Sequence, residues 1–171
     1  MAGRCQGIFQ NVIIRHEQGA LVFIQELIQK FDPELFIEIG TKYGGFSYLV
    51  YKTCPNVEIH TYDIDDIVNK KLFNEKFHFY NTDSFNESSV INITKLCQDP
   101  RRKLLYCDGG SKTKEFLTFG PYLNKGDILG CHDWPAEINL HTVGHYVKNL
   151  LPIDNSIFED MAWGSRFYQI L

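Results

Sequence analysis

Five carboxylates recur at regular places along the chain: Glu38, Asp63, Asp83, Asp108 and Asp133. Each lies at or within three residues of the end of a short apolar run, namely 35–39, 57–62, 77–80, 103–107 and 127–131. A carboxylate can hold a sugar hydroxyl, an ammonium or a divalent ion, or assist a proton transfer. Taken singly, any of the five reads as a turn or cap residue. In register on one edge of a sheet they define a site, because ligands of open α/β sheets bind beyond the carboxyl ends of the strands. His132 directly precedes Asp133 and can exchange a proton near neutral pH. Lys112 lies four residues past Asp108 at an expected helix start.

The first of these acids is followed by Gly40-Thr41-Lys42-Tyr43-Gly44-Gly45, a glycine-rich loop between a strand and a helix. Glycine permits positive φ and close approach of backbone to a ligand. A dinucleotide fingerprint needs glycine where Lys42 stands, and no lysine–serine pair of a triphosphate loop follows. Asp63 lies 23 residues after Gly40, counting from 40 to 63, at the end of the second run, where an acid accepts from ribose hydroxyls. A nucleoside without a pyrophosphate fits this combination.

The elements that must position these residues follow from periodicity. Leu21, Ile24, Leu27, Ile28 and Phe31 predict a helix over 16–30, ended near Asp32-Pro33. The five apolar runs predict parallel strands, separated by helices over 47–53, 84–97 (Ser84 as cap, Glu87 as its capping-box partner), 112–119 and 136–149. Two closing strands are expected over 153–158 and 166–171, joined by a turn at Trp163-Gly164. The fold class is α/β: a Rossmann-like three-layer α/β/α sandwich on a mostly parallel seven-stranded sheet with an antiparallel last strand. One domain is expected over 1–171, with a short N-terminal helical extension over about 1–32.

Composition narrows the function. Of 171 residues, 44% are hydrophobic and 22% charged, a soluble globular balance and not a disordered one. A net charge of −4 with no long basic run disfavours nucleic acid as the main partner. No apolar stretch reaches the ~18 residues of a membrane span. Five cysteines (Cys5, Cys54, Cys97, Cys107, Cys131) with no CxxC motif, and no apolar leader core, lead us to expect a reduced, cytoplasmic protein.

Glu38-Ile-Gly-x-x-x-Gly-Gly-x-Ser47 resembles motif I of class I S-adenosylmethionine-dependent methyltransferases. The later blocks, Leu104 to Gly110 and Pro121 to Asp133, resemble the O-methyltransferase branch that includes catechol-type and cephalosporin hydroxylase-like enzymes. The resemblance implies that Glu38, Gly40, Thr41, Gly44, Gly45, Ser47, Asp63, Asp83, Ser84 and Asp108 bind S-adenosylmethionine. Glu38 would face its amino group, Asp63 its ribose, and Asp83 and Ser84 its adenine. It further implies a divalent metal, Mg²⁺ or Mn²⁺, on Asp108 and Asp133 with His132 adjacent, and Asp108, His132 and Lys112 as catalytic candidates. Tyr43, Phe46, Phe85 and Trp134 are expected to wall the pocket. His141 and His145, four apart, are expected to be an ordinary surface pair.

The expected activity is O-methylation of a small molecule or sugar; the alternative is a non-catalytic nucleoside-binding module of the same fold. With a short N-terminal extension and no evident lid insertion, the acceptor site is expected to be shallow or to be completed by another subunit of a homo-oligomer.

Overall fold

The apolar runs pair side by side because each needs cover on both faces. The structure, a computed structural model, describes residues 7–16, 18–154, 156 and 163–171. The chain opens with strands β1 (Gly7–Phe9) and β2 (Val12–Ile14), then helix α1 (Gln18–Phe31), strand β3 (Leu35–Ile39) and helix α2 (Gly45–Thr53). Strands β4 (Glu58–Asp63) and β5 (Phe77–Asn81) follow, then α3 (Glu87–Cys97), β6 (Lys103–Cys107) and α4 (Lys112–Phe119). The chain closes with β7 (Ile128–Pro135), α5 (Leu140–Val147), β8 (Leu150–Pro152) and β9 (Trp163–Ile170).

Strands β3 to β9 form one seven-stranded sheet in the order β5-β4-β3-β6-β7-β9-β8. All pairs from β5 through β7 are parallel, and β9 runs antiparallel to both β7 and β8. The chain runs outward from β3 to β5, then returns to place β6 on the other side of β3. This reversal opens a crevice at the carboxyl ends of β3 and β6. One face of the sheet packs Ile24, Ile28, Phe36, Leu49 and Leu104 under α1 and α2. The other packs Ile37, Ile93, Leu105, Phe116 and Val143 under α3, α4 and α5. The three-layer α/β/α architecture is the one expected from the alternation of runs.

Several local expectations change. Residues 7–14 form a hairpin where only a helical extension was expected. Its turn residues Gln10 and Asn11 both take positive φ (46° and 67°), the conformation of tight hairpin turns. Helix α3 is capped by Asn86, whose side chain accepts from Ser89 N, so Ser84 is not its cap. Helix α5 begins only at Leu140, because Asn139 and Thr142 form a reciprocal capping box. Trp163 and Gly164 begin β9 instead of forming a turn. Of the strand expected over 153–158, residues 155, 157 and 158 lie outside the described residues and 153, 154 and 156 are not in a strand; the outer partner of β9 is the earlier segment Leu150–Pro152. Cys54, Cys97, Cys107 and Cys131 are all buried free thiols.

The end of the sheet opposite the crevice is tied by a buried ion pair. Lys103, fully buried at the start of β6, places Nζ 2.6 Å from Asp127 Oδ2. Asp127 also accepts from Lys103 N (3.1 Å) and Asn124 N (2.8 Å). Removing one partner strands the other charge in the core. Asp127→Ala should therefore lose on the order of 3–5 kcal/mol in chemical denaturation. The double variant Lys103→Met/Asp127→Asn should recover much of that loss. A loss below about 1 kcal/mol in the single variant would refute the assignment.

Candidate active site

Strand β3 carries its acid to the crevice and then must stop bearing side chains. A Cβ on Gly40 (φ +91°) would run into the backbone of Asp108 and Gly109. Gly40 N and Asp108 N donate to Tyr62 O and Ile39 O, both at 2.8 Å, so the ends of β3, β4 and β6 are laced together there. Gly45 has a different reason: a Cβ on it would meet the carbonyl of Ile13, so it seats the N-terminal hairpin. This glycine therefore has a packing role besides its place on the cavity wall.

Glu38 lies 1% exposed at the head of this crevice. Its Oε2 accepts from Ser47 Oγ (2.5 Å) and Thr61 Oγ1 (3.0 Å). Thr61 is directly opposite Glu38 on β4, and its hydroxyl in turn contacts Thr41 Oγ1. Burial raises the Glu38 pKa to about 8 against these hydrogen bonds, with Asp108 and Asp63 adding to the rise. At neutral pH the isolated site therefore holds Glu38 mostly protonated. Asp63 accepts from Lys42 N (2.7 Å) and Asp65 N (2.9 Å), which fixes the turns on both sides of the crevice.

A strand alternates its side chains, so consecutive His132 and Asp133 would ordinarily point to opposite faces. Here β7 bulges between Cys131 and Trp134, and Asp133 takes φ +59°. Both side chains then line the same cavity. His132 Nδ1 lies 3.2 Å from Asp108 Oδ1 and 3.2 Å from Asp133 Oδ1. Burial opposes charge on this imidazole, but Asp108 and Asp133 outweigh it and move its pKa upward.

Lys112 reaches in from the first turn of α4. Its Nζ lies 2.8 Å from Asp133 Oδ2, 2.9 Å from Glu137 Oε2 and 3.6 Å from Asp108 Oδ1, and it donates to Gly109 O at 2.9 Å. Burial disfavours the ammonium, yet these carboxylates raise its pKa. Lys112 is a fixed cation. Glu115, one turn further on and also buried, accepts from Gly109 N (3.1 Å) and Ser111 N (3.0 Å). It braces the loop that carries Asp108, and burial raises its pKa to about 7.

These elements enclose a cavity of about 790 Å³. Of the sequence candidates, Glu38, Gly40, Thr41, Gly45, Asp63, Asp83, Ser84, Asp108, Lys112, His132 and Asp133 line it. Gly44 and Ser47 lie behind the wall, Ser47 acting through Glu38. Tyr43, Phe46 and Phe85 also line the cavity, whereas Trp134 packs into the core under Arg166. His141 and His145 are exposed on α5. Three residues escaped the sequence reading. Arg15 and His16 follow the hairpin, which reads in sequence only as two short apolar runs before α1. Arg15 Nε is buried with no hydrogen-bond partner. His16 is buried against Phe46, Tyr106 and His132, and burial holds its pKa well below the usual range, followed by the effect of His132. Glu137 was hidden beyond the expected start of the last helix.

No family model matches the chain, and no curated protein matches it. Among solved structures it is similar to CmcI with Mg and SAM at 12% identity and a TM-score of 0.68, covering 96% of this chain and 76% of that one. It is similar to the MycE methyltransferase of the mycinamycin biosynthetic pathway, in complex with Mg, SAH and mycinamycin VI, at 14% identity and a TM-score of 0.62. That match covers 90% of this chain but 49% of MycE. A caffeoyl-CoA O-methyltransferase-type structure from Staphylococcus aureus aligns at 11% identity and a TM-score of 0.59, over 88% of this chain and 82% of that one. At these identities the likeness establishes a shared fold, the Rossmann-like methyltransferase fold.

The raised pKa of Glu38 has a consequence for stability. A carboxyl whose folded pKa is raised contributes fully in acid below its ordinary 4.5, and that contribution is lost as pH climbs through about 8. Glu115 acts in the same direction over a lower range. The thermal midpoint of Glu38→Gln should fall less between pH 5 and 9 than that of the wild type. Parallel curves would show that Glu38 is ionised throughout.

Proposed function

We propose that the chain is an S-adenosylmethionine-dependent O-methyltransferase acting on a hydroxyl of a small molecule or sugar. The observation that carries this reading is the charge and shape of the cavity. Its wall holds the carboxyls of Glu38, Asp63, Asp65, Asp83, Asp108, Glu115, Asp133 and Glu137 against the cations Arg15, Lys42 and Lys112. An anionic crevice beside a β3–β4 edge suits a ligand carrying a ribose, an ammonium and a sulfonium. The likeness to folds solved with SAM or SAH and Mg supports the same ligand.

The residues present fit both groups. Glu38 takes the amino group of the methionine part, Arg15 offers its unpaired Nε to the carboxylate, Asp63 takes the ribose, and Asp83 and Ser84 flank the adenine. S-adenosylmethionine supplies a methyl group ready for in-line displacement. Cis ligands of a divalent ion with bonds near 2.1 Å stand about 3 Å apart. The 3.2 Å spacings from His132 Nδ1 to the Asp108 and Asp133 oxygens match that requirement. Asp108, His132 and Asp133 would hold the ion, and the nitrogen donor suits Mn²⁺ better than Mg²⁺. Bound there, it would lower the pKa of an acceptor hydroxyl.

The remaining work falls to the chain itself. Lys112, held by three carboxylates, orients Asp133 and Glu137 and offsets their charge, which supports a positioning role for this catalytic candidate. With no ion bound, Asp108 and His132 face the cavity together and are the groups placed to hold the acceptor proton; with the ion in place they would serve as its ligands instead. Phe46 and Phe85 give the pocket apolar wall, which keeps the charged interactions inside it strong.

Two experiments test the reading. Incubation with S-adenosylmethionine and a panel of hydroxylated acceptors should yield S-adenosylhomocysteine, with turnover reduced at least 100-fold (~2.7 kcal/mol) in Asp108→Ala. Binding without turnover across catechols, sugars and macrolide-like acceptors would favour a binding module instead. Calorimetry at pH 7 in buffers of different ionisation enthalpy should show proton release on cofactor binding, since an ammonium ionises the neutral Glu38. Glu38→Gln should abolish that release; an unchanged release would remove Glu38 from this role.

A further inference from the structure

A second cluster of metal-ligating side chains lies on the outer part of the sheet, away from the cavity. Glu58 opens β4, and His60 follows two residues on, so both project from the same face. Strand β5 is the outermost strand, and its register sets His78 directly across from His60. Glu58, His60 and His78 therefore converge without any irregularity in the ladder. One ligand atom from each lies within 4.8 Å of the others. His60 Nε2 is 2.7 Å and His78 Nε2 3.8 Å from Glu58 Oε1. In a tetrahedral zinc site with bonds near 2.05 Å, ligand atoms stand about 3.3 Å apart, midway between these two distances.

The surrounding groups orient these three side chains as outer partners orient metal ligands. Tyr80 OH lies 3.0 Å from His60 Nδ1, so the ring presents Nε2 to the cluster. Arg101 donates to Glu58 Oε2 at 2.7 Å, which leaves Oε1 toward the imidazoles, and Asp99 offsets the guanidinium charge. The two rings face each other with centroids 4.6 Å apart. The His78 side chain is 41% exposed, so an ion can reach the site from solvent. Along β4, Glu58 and Asp63 are five residues apart, about 17 Å, which separates this cluster from the cavity.

We propose that Glu58, His60 and His78 bind a zinc ion, with a fourth position open to water. Two histidines and one glutamate are a donor set for zinc and for its borderline neighbours, and not for Mg²⁺ or Ca²⁺. The ion bridges β4 to the edge strand β5 and, through Arg101, to the segment before β6. It is a clasp on the open edge of the sheet, independent of the methyl-transfer reading.

The test uses the full chain after chelator treatment, in an Asp108→Ala/Asp133→Ala background that removes the cavity cluster. Zn²⁺ titration by calorimetry should show one equivalent bound, and Co²⁺ should give visible d–d absorption of a nitrogen-and-oxygen site. His78→Ala should weaken Zn²⁺ at least 10-fold and abolish the rise in thermal midpoint that Zn²⁺ produces. Because His78 is half exposed, this variant should fold; Glu58→Gln, which keeps the Arg101 contact through its amide oxygen, serves as the second variant. Zn²⁺ binding and midpoint shift unchanged in both variants, or no Zn²⁺ bound in the parent, would overturn the assignment.

Discussion

Concentrating carboxyl groups at one sheet edge is the constraint on which the site depends. Like charges brought together in a partly buried crevice repel, and burial raises the cost of each. The chain offsets this in three different ways. Glu38 is held by hydroxyls and shifts toward its neutral form. Asp63 and Glu115 accept from backbone N–H groups. Asp133 and Glu137 share the ammonium of Lys112. What is left over is a net demand for positive charge inside the cavity, which a cationic ligand or a divalent ion can meet. The binding preference and the local strain thus have one origin.

The parallel sheet creates this constraint and also makes it tolerable. Returning the chain to β6 beside β3 places Glu38 and Asp108 at neighbouring strand ends. The absence of a side chain at Gly40 lets the two strand ends close up, so that the loop after β6 lies against the loop after β3. The bulge in β7 then adds two consecutive side chains where a regular strand would offer one. On the other side of the crevice the N-terminal hairpin seats on Gly45 and brings in Arg15 and His16. The cavity is therefore assembled from segments spread from residue 13 to residue 137.

Sequence reasoning worked where one local rule dominated. Continuous apolar runs ending in an acid located all five parallel strands and their carboxyl ends, and so most of the cavity wall. It worked less well where a competing cap or turn decided the boundary. Ser84 looked like a cap, but Asn86 takes the role because its side chain reaches Ser89 N. The last helix looked longer than it is because the Asn139–Thr142 capping box was not given weight. The hairpin was missed because its strands are three residues each, too short for periodicity to register.

The sequence by itself determined the alternation of strands and helices, the acids at the strand ends and the departure of the glycine loop from the dinucleotide fingerprint at Lys42. Each of these rests on near neighbours in the chain, and hydrophobic period and turn chemistry are local properties. Only the tertiary structure decided that Lys112 is a fixed cation, that Gly45 serves packing, and that Glu38 is held close to neutral. It also placed His78 across from His60. Those outcomes depend on which distant groups share a low-dielectric space, and strand register and burial settle that, not spacing along the chain.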